Sequence, residues 1–277
     1  MIASKGGEGG LRATIHPTAA IETGAIIGSG TTIGPFCHIG AGVEIGADCR
    51  LRAHVVVAGR TRIGRGVDVF PFASLGAPSQ DIKAALAEGT LTIGDGCVIR
   101  EGVTINAGVG VGTRVGPGCV LLAAAHVAHD CMLGAHVILS NQTLLGGHVV
   151  LGDYVAIGGA TAVHQYVRIG AHAFVGGLAG VEGDVIPFGL AGGNRARLVG
   201  LNRVGLQRRG FEPARIARLA EVFRRLFRGP GAAPLRVRVD EIAATCGADP
   251  DLALLVDFLR APSSRPLCAP HPRGEKT

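Results

Sequence analysis

A period of six residues runs through most of this chain and leaves few folds open to it. Counted in sixes from Ile15, the positions Ile15, Ile21, Ile27, Ile33, Ile39, Ile45, Leu51, Val57, Ile63, Val69 and Leu75 are all aliphatic. The register returns at Ile93, Ile99 and Ile105, slips by four after Gly108, and then runs from Val115 to Val181. Gly often follows the aliphatic residue, as at Gly28, Gly34, Gly40, Gly46 and Gly64. A helix repeats about every 3.6 residues and a half-buried strand about every two, so neither makes this pattern.

A hexad is a short strand plus a corner. Three hexads close a triangular coil of 18 residues, and coils stack at about 4.8 Å, the spacing of neighbouring strands. Each aliphatic side chain then points inward onto its counterpart one coil away. Gly is expected at the corners for the backbone angles it adopts freely. The pattern predicts an all-β parallel β-helix over 13–187. Likeness to hexapeptide-repeat proteins implies a left-handed winding, against the usual crossover hand. Composition agrees with such a core. Hydrophobic residues reach 47% with only nine Phe, two Tyr and no Trp, alongside 45 Gly. That excludes disorder, and the absence of a three-residue Gly period excludes collagen. Cys37, Cys49, Cys97, Cys119 and Cys131 all take the fifth place of their hexads. They are expected as small packing groups rather than disulfides or metal ligands.

The repeat breaks twice. GAPSQDIKAALAEGTLT, between Leu75 and Ile93, is expected to leave the solenoid as a loop, and a shorter Gly-rich insertion lies between Ile105 and Val115. Loops on a rigid scaffold commonly carry function. After Pro187 the period ends. FEPARIARLAEVFRRLF puts Ile216, Leu219, Ala220, Phe223, Leu226 and Phe227 on one helical face. VDEIAAT and DPDLALLVDFLR predict further helices, so 188–260 is expected as a helical cap. The tail over 261–277, with Pro262, Pro266, Pro270 and Pro272, is expected to be disordered. No apolar run approaches the roughly 18 residues of a membrane span. MIASKGGEGGLRAT lacks an apolar leader core, so a cytoplasmic location is expected.

The chemistry-bearing residues are unevenly placed. Net charge is +6, and 195–238 holds twelve Arg against Glu212 and Glu221, which suggests an anionic partner. Six of ten His lie in 126–172. One coil after His129 comes Gly147, beside His148, and one coil further comes Gln165, beside His164. Imidazoles of successive coils therefore share an edge, about 5 Å apart, with His126 on the same turn as His129. Asp130 follows His129, and a His with a carboxylate partner suits general-base work near neutral pH. His136 and His172 are expected as solvated corner residues. Asp81 and Lys83 sit in the first loop, and Arg208 and Arg209, where solenoid meets cap, are candidates for phosphate contact. The Gly-rich strings belong to the hexad and lack the βαβ setting of a nucleotide loop.

IHPTAAIETGAIIG, SQDIK, IREGVTIN, AHVAHDC, GGATAVHQY, GNRARLVGLN and GLQRRGF together resemble the bacterial UDP-N-acetylglucosamine acyltransferases, over about residues 13–260. The resemblance implies transfer of a 3-hydroxyacyl chain from acyl carrier protein to the sugar 3-hydroxyl of UDP-N-acetylglucosamine, the first step of lipid A assembly. It implies His129 as general base, Asp130 as its partner and the Gly147 N–H as oxyanion donor. Asp81, Lys83, His126, His148, His164 and Gln165 would contact the sugar nucleotide or acyl group. Asn202, Arg208 and Arg209 would hold the nucleotide end, and Gly177 would leave room for a longer acyl chain. No cofactor or nucleic acid is implied, and a homotrimer with sites between subunits is. The chain departs from the family pattern at Val204, Ala107 and Arg195. Two other enzymes on the same scaffold are alternatives. One is a carbonic-anhydrase-like zinc hydratase using His126, His129 and His148; the other is an acetyl-CoA-dependent sugar acetyltransferase. A non-catalytic scaffold is the third alternative.

Overall fold

The computed structural model describes residues 12–82, 89–227 and 233–270. Successive strands Thr14–Ile15, Ala20–Ile21 and Ile26–Ile27 enter three different sheets. Among the described residues these parallel sheets hold eleven, nine and eight strands, here called the first, second and third. Ile15 pairs with Ile33, Ile21 with Ile39 and Ile27 with Ile45, so one coil takes 18 residues. The inward side chains Ile33, Ile39, Leu51, Leu75, Ile99 and Leu121 are fully buried. Each contributes on the order of 1.5–3 kcal/mol. The two breaks appear as lengthened coils. Ile63 pairs with Ile93, thirty positions on, and Ile105 with Val127, twenty-two on.

The corners differ from the sequence expectation. Glycines after the inward residue do not supply the left-handed backbone. That conformation falls two positions later, largely on non-Gly residues such as Phe36, His54, Asp130 and His148, with φ of 57–60°. Hydrogen bonds between coils hold it, as from His54 N–H to Pro35 O at 3.0 Å. The recurring glycines are needed for close approach instead. A Cβ on Gly28 would stand 2.4 Å from the carbonyl carbon of Gly46, and one on Gly46 would stand 2.5 Å from Gly64 O. The five hexad cysteines are buried, and Cys119 and Cys131 donate from Sγ to Gly134 O and Gly146 O at 3.2 Å. That is packing, as expected.

The solenoid runs past 187. Gly189–Gly192 joins the first sheet in parallel, and Arg197–Leu201 folds back antiparallel on it. The hairpin blunts an edge that would otherwise stay open to pairing. Among the described residues the cap holds four helices: α1 (Arg203–Arg208), α2 (Pro213–Phe227), α3 (Leu235–Thr245) and α4 (Pro250–Arg260). Helix α2 buries Ile216, Leu219, Val222, Phe223 and Leu226, close to the expected stripe. Asp249 starts α4 by accepting the Asp251 and Leu252 N–H groups, ahead of Pro250. Arg215 and Arg218 are not loose surface charges. They pair with Asp251 at 2.5 Å and Asp249 at 2.6 Å.

The segment after Ala261 is not a free tail as far as Pro270. Asp184 N–H donates to Pro266 O and Cys268 N–H to Asp184 O, both at 2.8 Å, and Cys268 is buried. Backbone pairing to the last coil overrides the proline-rich composition. Residues 271–277, also expected as tail, lie outside the described residues. No described helix is long and apolar enough to cross a membrane.

Candidate active site

AHVAHDC turns the corner from the second sheet to the third. His126 faces outward on its strand, Val127 and Cys131 point inward, and His129 and Asp130 form the corner between them. His129 Nδ1 lies 3.0 Å from Asp130 Oδ2. The His129 side chain is 15% exposed and Asp130 only 4%, so the imidazole meets solvent and the carboxylate does not.

The short Gly-rich insertion, one coil earlier, holds that carboxylate. Gly110 N–H donates to Oδ1 at 2.9 Å, Gly112 N–H to Oδ1 at 3.2 Å and Val109 N–H to Oδ2 at 3.3 Å. Thr113 Oγ1 accepts the Asp130 backbone N–H at 2.9 Å. Burial pushes the Asp130 carboxyl up, but the bonds from His129, Gly110 and Gly112 outweigh it and hold the group below its ordinary value. Asp130 is thus a fixed anion that orients the ring. Sequence reasoning missed these supporting residues. Their signal was the four-residue slip, which ends one coil before His129.

The next coils complete the edge. The His148 ring stands edge-on to His129 at 5.0 Å and stacks on Tyr166 at 4.6 Å. Gly147 is pressed against the imidazole, since a Cβ there would lie 2.6 Å from His129 Nε2. Among the described residues the Gly147 N–H has no hydrogen-bond acceptor. Equivalent N–H groups at another corner are taken: Arg65 donates to Asp95 and Ala135 to Asp153. The uncommitted donor beside an imidazole is what an oxyanion site requires.

A cleft of about 620 Å³ on the second sheet opens onto this edge and is lined by His126, His129, Gln165, Tyr166, Gln80 and Asp81. His126 Nδ1 is bonded to Thr104 Oγ1 at 2.7 Å, and burial lowers its pKa, so it is neutral at neutral pH. Asn106, another residue the sequence reading passed over, donates from Nδ2 to Pro78 O at 3.0 Å and ties down the base of the Asp81 loop. Lys83 lies outside the described residues. His164 is exposed at the cap end of the same edge and meets Arg265 of the C-terminal segment.

Asn202, Arg208, Arg209 and Gly177 lie away from the His129 edge altogether. Asn202, Arg208 and Arg209 line a second pocket, of about 490 Å³, on the first sheet with Ile138 and Phe174. Asn202 caps α1 by accepting the Gly205 N–H at 3.1 Å and donates to His172 O at 2.9 Å. Arg209 donates to Tyr154 O at 2.7 Å. Gly177 sits at the corner between the first and second sheets, where a Cβ would meet Gly159 O at 3.1 Å. His172 is not a solvated corner residue either. It is stacked between Tyr154 and Phe188, and burial, with Arg209 adding to it, lowers its pKa to about 4.

The zinc trio imagined from sequence does not form. Among the described residues the His129, Asp130 and His148 ligand atoms gather within 4.8 Å, without His126. In that group His129 Nδ1 and both Asp130 oxygens are already engaged.

Comparison with known proteins gives the family. Residues 24–59 match the bacterial transferase hexapeptide (six repeats) model, and 184–268 match domain 2 of the UDP N-acetylglucosamine O-acyltransferase model. An acyl-[acyl-carrier-protein]--UDP-N-acetylglucosamine O-acyltransferase of Rhizobium johnstonii is 47% identical, covering 95% of this chain and 97% of the relative. The protein of that name from Azorhizobium caulinodans is 48% identical over 93% and 96%. The crystal structure of the UDP-N-acetylglucosamine O-acyltransferase of Moraxella catarrhalis superposes with a TM-score of 0.87 at 36% identity, covering 92% and 99%. The solenoid is a left-handed parallel β-helix. The chain belongs to the family of UDP-N-acetylglucosamine O-acyltransferases.

Proposed function

We propose that this enzyme moves a 3-hydroxyacyl group from acyl carrier protein to the 3-hydroxyl of UDP-N-acetylglucosamine, the opening step of lipid A synthesis. The observation that carries the reading is His129, held by a buried carboxylate on one side and flanked by the free Gly147 N–H on the other. His129 Nε2 takes the proton of the sugar hydroxyl as its oxygen attacks the thioester carbonyl. The Gly147 N–H receives the developing oxyanion. Asp130 stabilises the imidazolium through Nδ1–H. Collapse forms the ester, expels the carrier thiolate, and returns the proton from Nε2 to that sulfur.

Asp81, Gln165, His126 and His148 would position the sugar and acyl groups, with Lys83 reaching in from the same loop. The acyl chain would run across the second sheet, past exposed Leu144, toward the Gly177 corner. Asn202, Arg208 and Arg209 lie on the first sheet, so a single chain separates them from His129. A homotrimer that packs the first sheet of one copy beside the second sheet of the next would reunite them. Apolar Ile138, Leu144 and Val204, each more than a third exposed, fit such contact faces. The Arg-rich cap suits an acidic carrier protein by electrostatic steering.

Incubation with UDP-N-acetylglucosamine and a panel of 3-hydroxyacyl carrier proteins, read by mass spectrometry of the nucleotide product, tests the reading. His129→Ala is expected to lower kcat by roughly two to four orders of magnitude with the thermal midpoint kept. Activity within a few-fold of wild type in that variant, or turnover of acetyl-CoA alone, would defeat it.

A further inference from the structure

The C-terminal segment passes the cap end of the His129 edge at Arg265. Its position is set by backbone bonds to Asp184, and Leu198 N–H donates to Ala269 O at 3.1 Å. From this strap Arg265 reaches two residues of the cleft corner. Its Nε donates to Gln165 O at 2.8 Å, and a terminal nitrogen meets His164 Nδ1.

We propose that Arg265 is a positioning residue for a phosphate subsite at the cap end of the cleft; this rests on the transferase reading above. A guanidinium carries donors only and stays charged at any working pH. His164 Nδ1 therefore accepts from it, and the neutral ring carries its proton on Nε2. The bond to Gln165 O fixes the backbone of a residue whose side chain lines the cleft. His164 Nδ1 also lies 3.3 Å from Gln165 O, so without Arg265 the exposed ring would donate to that carbonyl from Nδ1 and leave Nε2 without a proton. An imidazole N–H next to a guanidinium suits a phosphate oxygen. Both substrates of the reaction bring one: the diphosphate of the sugar nucleotide and the phosphodiester of the carrier's prosthetic arm.

Steady-state kinetics of the full-length protein, varying each substrate, tests the proposal. Arg265→Ala is expected to raise KM for one phosphate-bearing substrate about tenfold while kcat stays within about threefold. The substrate whose KM rises identifies the phosphate. Arg265→Lys recovers only part of the loss, because one ammonium does not span both acceptors. In a His164→Ala background the Arg265→Ala change costs less than about twofold, since its effect passes through that ring. Unchanged KM for both substrates, a loss confined to kcat, or a full tenfold effect without His164 would overturn it. Arg265→Gln replaces Arg265→Ala if the thermal midpoint of the latter falls. Loss of turnover in His129→Ala alongside an inert Arg265→Ala would sink this proposal alone and leave the transferase intact.

Discussion

Two corners of the prism carry nearly the same stack of rings, and only one of them opens on the cleft beside His129. At the corner from the third sheet to the first, His136, Tyr154, His172 and Phe188 stack at 4.8, 5.0 and 5.6 Å. At the corner from the second to the third, His148 stacks on Tyr166 at 4.6 Å. Both ladders use left-handed corner residues one coil apart, with φ of 56–66° for the His and Tyr members. Stacked imidazoles are thus a by-product of the repeat. The first ladder closes against Phe211 and Arg209 of the cap. The second is preceded by Asp130 and opens on a cleft. The backbone donors differ as well: Asp153 takes the Ala135 N–H at 2.8 Å, while Gln165, its counterpart beside Gly147, leaves that N–H free. A carboxylate partner, an unused N–H and access turn a column of rings into chemistry.

The hardest way to break that contrast is Asp130→Asn. The change keeps the shape but removes the charge that orients His129, so kcat should fall by roughly two to four orders of magnitude. Asp153→Asn, the matching change in the inert ladder, should leave turnover within about twofold. A large loss from Asp153→Asn would mean that the two corners had been wrongly ranked. Gln165→Asp makes the cleft corner resemble its neighbour. The new carboxylate should cap the Gly147 N–H and set a negative charge where the oxyanion forms, costing about a hundredfold in kcat. Gly147→Ala is milder. Its Cβ would sit 2.6 Å from His129 Nε2, so the ring must shift. A fall of about ten- to a hundredfold in kcat/KM is expected, with the thermal midpoint nearly unchanged.

The fold was legible because the period is long, regular and unlike that of any other element. Pairing of Ile15 with Ile33 could be counted from the sequence before any coordinates. The His129 edge followed from the same counting. What counting could not supply was which column stays open, since His136 and His172 obey the same period as His148. It also placed Asn202, Arg208 and Arg209 at the cap but not on the face away from His129. The nest of N–H groups around Asp130 and the docked strap depend on backbone direction in irregular segments, where side-chain identity says little. Glycine misled in one respect. Its column marks coils too close for a Cβ rather than corners needing positive φ.

The smallest expected effect belongs to the inert ladder and appears in stability. His172 has its pKa lowered to about 4 by burial first and by Arg209 second, and its Nδ1 is buried without a partner among the described residues. In the unfolded chain this imidazole takes a proton as pH falls through 6.5, its ordinary value, whereas the folded form resists until about 4. Protons then bind the unfolded state better, so stability drops between pH 6.5 and 4 and this group adds nothing further below that. His172→Phe keeps a ring between Tyr154 and Phe188 and removes the titration. Denaturation midpoints from pH 7 to pH 4 should therefore fall less steeply in the variant, while turnover at neutral pH stays within about twofold. Parallel curves for the two proteins would place the acid sensitivity elsewhere. A collapse of turnover would mean that the closed ladder, through Asn202 and Arg209, reaches the nucleotide as directly as the open one reaches the acyl group.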